Sequence, residues 1–218
     1  MINISIIKKQ ITGFAGLLLC VFAISHLAGN LLMLVSLEVF NRYAHALISN
    51  PFIYGIELAL FFIFLIHMIL AMRLQMENRN ARPEKYAMRK KTGRGATFAS
   101  STMLLSGLTL LVYLIFHIWH LKFGPEYRVS YDGVGMRDLS RLVLEYFANP
   151  LMVGFYVIAM AAFGMHLSHG FWSVFQSFGF SHAKYTLRLR HASIVFGVLM
   201  FIGFSILPIW AYLKGVQS

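Results

Sequence analysis

Five apolar stretches, each near or above the roughly 20 residues that a helix needs to cross a bilayer, dominate this 218-residue chain. They run over about 11–37, 52–72, 98–121, 151–175 and 192–213. A bilayer offers no water to exposed peptide groups, so such segments are confined to helices whose backbone hydrogen bonds close internally. The expected fold class is therefore an all-α integral membrane protein with five transmembrane helices, forming a single membrane domain over 1–218. Composition agrees, because only 12% of residues are charged, against about 25% in soluble domains. The first stretch does not read as a cleaved signal peptide: it is too long, lacks a cleavage site and carries His26 in its middle.

A net charge of +11 could suggest nucleic acid, but the charges sit where membrane topology puts them. Lys8 and Lys9 precede the first span. The loop after the second span holds Arg73, Arg79, Arg82, Lys85, Arg89, Lys90, Lys91 and Arg94, and Lys184, Arg188 and Arg190 precede the fifth. These are 13 of the 19 Lys and Arg residues, all on one side. Acids other than Glu77 and Glu84 lie on the other side or near its end of a span. The positive-inside rule then puts the N-terminus in the cytoplasm and the C-terminus outside. A basic face of this kind can hold lipid headgroups or dock an acidic protein partner. No nucleic-acid partner is expected.

The single cysteine, Cys20, excludes an internal disulfide and a thiolate metal cluster. C-x-x-C-H is absent, so any haem would be a b-type haem without thioether bonds. Phosphate-loop and dinucleotide-binding fingerprints are absent as well, leaving the chain no visible nucleotide site.

Histidine is the exception inside the spans: His26, His67, His117, and His166 with His169. Ionisable groups at membrane depth are costly and mark pathways or cofactors. Two imidazoles approaching from opposite sides suit the axial positions of a haem iron.

An internal repeat chooses among these residues. Asn50-Pro51-Phe52-Ile53-Tyr54-Gly55 recurs as Asn149-Pro150-Leu151-Met152-Val153-Gly154, and in both copies a histidine follows the proline by 16 residues, at His67 and His166. Ala15-Gly16 and Ser106-Gly107 likewise precede His26 and His117 by 10 residues from the glycine. Spans one and two thus correspond to spans three and four, related by a pseudo-twofold axis along the membrane normal. Such an axis sets equivalent histidines opposite one another. His120 corresponds to Gly29 and His169 to Leu70, so neither is matched by histidine.

Depth gives an independent check. At 1.5 Å per residue, His67 and His166 lie roughly 24 Å below Pro51 and Pro150. His117 is about 8 Å from Lys122, and His26 is about 25 Å above Lys9. Two levels follow, an outer one with His26 and His117 and an inner one with His67 and His166.

With these residues in place, the chain resembles the di-haem cytochrome b membrane anchors of succinate:quinone oxidoreductases (succinate dehydrogenase and fumarate reductase), in the class with one five-helix subunit. The resemblance is carried by Ser25-His26-Leu27, by His67 in His67-Met68-Ile69-Leu70-Ala71-Met72-Arg73, and by His117-Ile118-Trp119. His166-Leu167-Ser168-His169-Gly170-Phe171-Trp172-Ser173, Phe40-Asn41 with Ala44-His45, and the Asn-Pro-Phe segment extend it over nearly the whole chain. It implies two haem b groups, the inner one held by His67 and His166 and the outer one by His26 and His117. It also implies quinone as substrate, expected to be menaquinone, and a flavoprotein and an iron–sulfur subunit docked on the cytoplasmic face. The compartment implied is a prokaryotic cytoplasmic (inner) membrane. The fifth span, without a deep histidine, would flank a four-helix haem-binding bundle.

Secondary candidates complete the reading. Glu57 is the sole carboxylate inside a span and could accept a proton from quinol, or could be an interfacial residue satisfied by water. Arg73, about 9 Å along the helix from His67, could pair an inner-haem propionate or anchor the positive side. Arg137 and Arg141 could do the same for the outer haem. His45 reads as an outer-surface residue or a quinone-site lining, His120 as interfacial, and His169 as a hydrogen-bonded neighbour of the ligands. His182 and His191 belong to the inner loop. Two alternatives stand beside the main reading: a cytochrome b anchor of another quinone-linked dehydrogenase or hydrogenase, and a haem-free proton-coupled transporter.

Overall fold

The computed structural model describes residues 4–80, 102–180 and 182–216. Most of the basic loop, from Arg82 to Arg94 with Glu84, and the start of the third apolar stretch at 98–101 lie outside the described residues. Among the described residues, five helices are long and apolar enough to cross a membrane. They are α1 (Ile4–Val35), α3 (Ile53–Asn80), α4 (Met103–His117, continued by a π-helical turn Ile118–Lys122), α6 (Pro150–Ser177) and α7 (Ala183–Val216). Two shorter helices, α2 (Leu37–Ile48) and α5 (Leu139–Phe147), and a hairpin of β1 (Arg128–Tyr131) and β2 (Val134–Arg137) fill the connections. The chain is an all-α, multi-pass membrane protein with this small hairpin added.

The repeated Asn-Pro motif does the same job twice. Asn50 accepts the Phe52 N–H at 2.9 Å, and Asn149 accepts the Leu151 N–H at 2.9 Å. Each asparagine satisfies a donor that a helix start leaves without a partner, while the proline next to it has no N–H to satisfy.

The tightest packing joins α6 to α7. A Cβ added to Gly197 would lie 2.4 Å from the Gly164 carbonyl oxygen, so the two backbones touch where only glycine fits. One turn away, Ser193 is fully buried and wedged into α6. Its Oγ accepts the Trp172 N–H at 3.2 Å and donates toward the Ser168 and Leu167 carbonyls at 2.8 and 3.1 Å. The Trp172 N–H would otherwise serve Ser168, so the hydroxyl is inserted into the helix ladder.

In contrast, α3 buries none of its residues fully and packs chiefly on α1. Ion pairs stake it at both ends: Glu77 to Lys8 of α1, and Glu57 to Lys122 of the π-helical turn. Exposed Leu, Ile and Phe side chains along α3 suit contact with lipid.

On the hairpin side, α2 and α5 close over the bundle. Asp132 and Gly133, with φ of 51° and 79°, form the two-residue turn between β1 and β2, a conformation that Asp-Gly favours. Asn41 of α2 is fully buried. Its Nδ2 donates to Asp138 Oδ1 at 2.9 Å and Ser140 Oγ at 3.1 Å, and its Oδ1 accepts the Ser140 N–H at 2.9 Å. Asp138 also caps α5 by accepting the Arg141 N–H at 3.0 Å. Below this latch lies an apolar cluster of Met33, Phe40, Val143, Phe147, Tyr156 and Ala211.

Candidate functional site

The four histidines singled out by the repeat meet in two pairs. His26 of α1 faces His117 of α4, with ring centroids 5.9 Å apart and planes at 85°. His67 of α3 faces His166 of α6, with centroids 6.4 Å apart and planes at 68°. Two imidazoles bound on opposite sides of one metal, at about 2 Å each, stand on the order of 6 Å centre to centre. Among the described residues, no cluster of three or more His, Cys, Asp or Glu could hold a metal ion. The pair separations match that centre-to-centre figure, and a b-type haem, which brings its other iron ligands in its own macrocycle, fits two facing imidazoles.

Two levels are visible in the backbone. His67 and His166 lie against Gly16 and Gly107 of the neighbouring helices. His26 and His117 lie ten residues further along the same helices, roughly 15 Å toward the hairpin side.

The surroundings fix the rings. His67 Nδ1 donates to the Thr12 carbonyl at 3.0 Å, which leaves Nε2 with its lone pair for a metal. His166 Nδ1 meets Ser106 Oγ at 3.2 Å. His117 Nδ1 lies 3.2 Å from the Tyr113 hydroxyl and 3.5 Å from that of Tyr156. His26 is held by ring contacts, stacked on Phe22 at 5.3 Å and tilted against Phe204 at 6.0 Å. Sequence reasoning did not find Ser106, Tyr113 or Tyr156 as partners. Ser106 was within reach, since it stands where the other copy has Ala15.

The secondary candidates scatter. Glu57 forms an ion pair with Lys122, and its side chain is 39% exposed. Arg73 is exposed on α3. Arg137 is spent on carbonyls, donating to Leu121 at 3.2 Å, Lys122 at 3.3 Å and Pro125 at 3.3 Å, so it caps the end of the π-helical turn. Arg141 pairs with Glu145 at 2.8 Å and lies over the Tyr127 ring. His120 packs against Tyr146, and its Nδ1 donates to the Phe116 carbonyl at 2.9 Å. His45 is near the Ser49 hydroxyl at 3.5 Å, and His182 accepts the Lys184 N–H at 3.2 Å. Neither joins a histidine pair.

The chain is 23% identical, over 188 residues, to the succinate dehydrogenase cytochrome b558 subunit of Bacillus subtilis (strain 168). The match covers 84% of this chain and 85% of that protein. It supports the cytochrome b anchor family of complex II. No family model matches the chain, and no solved structure does.

Proposed function

We propose that this chain is the di-haem b, quinone-reactive membrane anchor of a succinate dehydrogenase or fumarate reductase, carrying electrons between membrane quinone and an iron–sulfur subunit. The observation that carries this reading is the meeting of His26 with His117 and of His67 with His166, on repeat-related helices and at two levels. The four imidazoles would ligate two haem irons through Nε2. Haem b supplies a one-electron couple at each site when bound. The protein's part is to hold the rings, set their tautomers and exclude water with the apolar bundle.

The orientation supports the same reading. Lys8, Lys9, Arg73 and Arg79 lie on the side away from the hairpin, which the positive-inside rule assigns to the cytoplasm. The flavoprotein and iron–sulfur partners would dock on that face, next to the level of His67 and His166. Arg73 is the proposed propionate contact there. The hairpin, α2 and α5 would then face outward. Glu57, on the outer side, is the proposed acceptor of a proton from quinol, expected to be menaquinone, in a prokaryotic cytoplasmic membrane.

Reduced-minus-oxidised spectra and haem stoichiometry test the assignment. His26→Ala and His117→Ala should each remove the outer haem, and His67→Ala and His166→Ala the inner one. Retention of both haems after any of these changes refutes that ligand. Absence of a b-type signal from the purified protein refutes the whole reading and favours the transporter.

A further inference from the structure

His67 and His166 occupy equivalent places in the repeat, yet their Nδ1 atoms meet different acceptors. His67 reaches the Thr12 carbonyl directly at 3.0 Å. The repeat carries Thr12 onto Met103 and Ala15 onto Ser106. The Ser106 hydroxyl donates to the Met103 carbonyl at 3.0 Å and stands 3.2 Å from His166 Nδ1. Its one proton is committed to that carbonyl, so the oxygen is the acceptor toward His166. The second copy thus repeats the first with one hydroxyl interposed between imidazole and carbonyl.

Spacing agrees with this. A Cβ on Gly16 would lie 3.0 Å from His67 Cε1, whereas one on Gly107 would lie 3.7 Å from His166 Cε1. His166 stands back from its neighbouring helix, and the serine side chain bridges the difference. Ser106 is buried at 3% exposure in an apolar helix face, where a hydroxyl costs free energy unless it is bonded.

We propose that Ser106 is a positioning residue for His166, holding it in the tautomer that presents Nε2 to the inner site and setting its basicity separately from that of His67. This rests on the reading of His67 and His166 as axial ligands. An acceptor at the remote nitrogen makes a metal-bound imidazole a stronger donor, which favours the oxidised iron. Ser106 therefore adjusts one of the two donors to the inner iron and neither donor to the outer one.

The test is redox titration and low-temperature paramagnetic resonance of the assembled complex in native membranes, for the wild type, Ser106→Ala and Ser106→Thr. In Ser106→Ala the inner-haem midpoint should rise and its low-spin g values should move, with the outer haem unchanged. Ser106→Thr keeps the hydroxyl and should retain both wild-type midpoints. Full haem content with unchanged midpoints and g values in Ser106→Ala overturns the proposal. If Ser106→Ala loses haem, Ser106→Thr decides: wild-type midpoints with two haems support the role, and altered inner midpoints overturn it. His166→Ala, measured alongside, separates the underlying assignment. If that variant keeps both haems, the ligand reading fails, whatever Ser106→Ala shows.

Discussion

Gly16 lies so close beneath the His67 imidazole that a methyl group in its place would sit 3.0 Å from Cε1 and 3.3 Å from Nδ1. Its repeat partner Gly107 leaves 3.7 Å to the ring of His166, an ordinary van der Waals contact. Alanine is the better helix former by about 1 kcal/mol, so both substitutions favour their helices in isolation. Gly16→Ala should nonetheless displace His67 from the Thr12 carbonyl and lower inner-haem occupancy. Gly107→Ala should retain both haems. Pyridine haemochrome content per purified chain distinguishes the two; equal content would show that the close approach at Gly16 is without consequence.

The latch on the hairpin side depends on one buried amide. Asn41→Ala leaves the buried Ser140 N–H without its acceptor, at a cost of about 1–3 kcal/mol, and takes from Asp138 one of its three donors. The variant should unfold at a lower temperature in detergent. Proteases should cut near 128–138 sooner than in the wild type. Haem content should hold at moderate temperature, because the latch touches none of the four paired histidines.

Acid should open the same latch. Burial alone would raise the Asp138 pKa, but hydrogen bonds from Asn41, the Arg141 N–H and Ser140 outweigh it and hold the carboxyl below its ordinary value of 3.8. A group depressed in the folded state stabilises above its unfolded pKa, and that contribution is lost as pH falls through the lower, folded value. Proteolytic resistance of the hairpin should therefore be flat from neutral pH down to about 4–5 and fall below that. Asp138→Asn should show little of this dependence; a wild-type profile in that variant would assign the effect elsewhere.

Glu57 and Lys122 can be separated by charge. Glu57→Gln removes both the ion pair to the π-helical turn and the proposed acceptor of the quinol proton. Lys122→Gln removes the pair alone. Loss of a general base typically costs about 10²–10⁴-fold, so Glu57→Gln should slow quinol oxidation on at least that lower scale, with haem bands intact. Lys122→Gln should stay within a few-fold of wild type. Equal losses in the two variants would leave Glu57 a purely structural contact.

Large features of this fold were legible because membrane physics leaves few choices. Five apolar stretches could only be helices, and the Asn-Pro repeat by itself pairs His67 with His166. The same repeat ranks His120 and His169 below the other four, and the two facing pairs are His26 with His117 and His67 with His166. The hairpin-side cap was not foreseen. Tyr131-Asp132-Gly133-Val134 carries a hairpin signal, but four-residue strands say little beside helices of up to 34 residues. Charge alone left Arg137 as one option for an outer-haem contact; its hydrogen bonds to the Leu121 and Lys122 carbonyls depend on the folded turn and carry no signal in the sequence. Ser193, inserted into α6 from α7, depends on a contact 21 residues away in sequence that no local pattern encodes.

The pairing of histidines across the two halves also sets a timetable for synthesis. His26 and His67 leave the ribosome in the first third of the chain, and each must wait about a hundred residues for its partner. At ~5–20 residues per second, that is on the order of ten seconds with an unmatched imidazole at membrane depth. α3, which packs chiefly on α1 and buries nothing fully, is then half of an open two-helix hairpin. The tight α6–α7 unit enters the membrane last. The nascent chain therefore carries its unpaired histidines through the insertion machinery before the helices that close the bundle exist, and on the proposed haem assignment cofactor delivery would follow the entry of residue 166 into the bilayer.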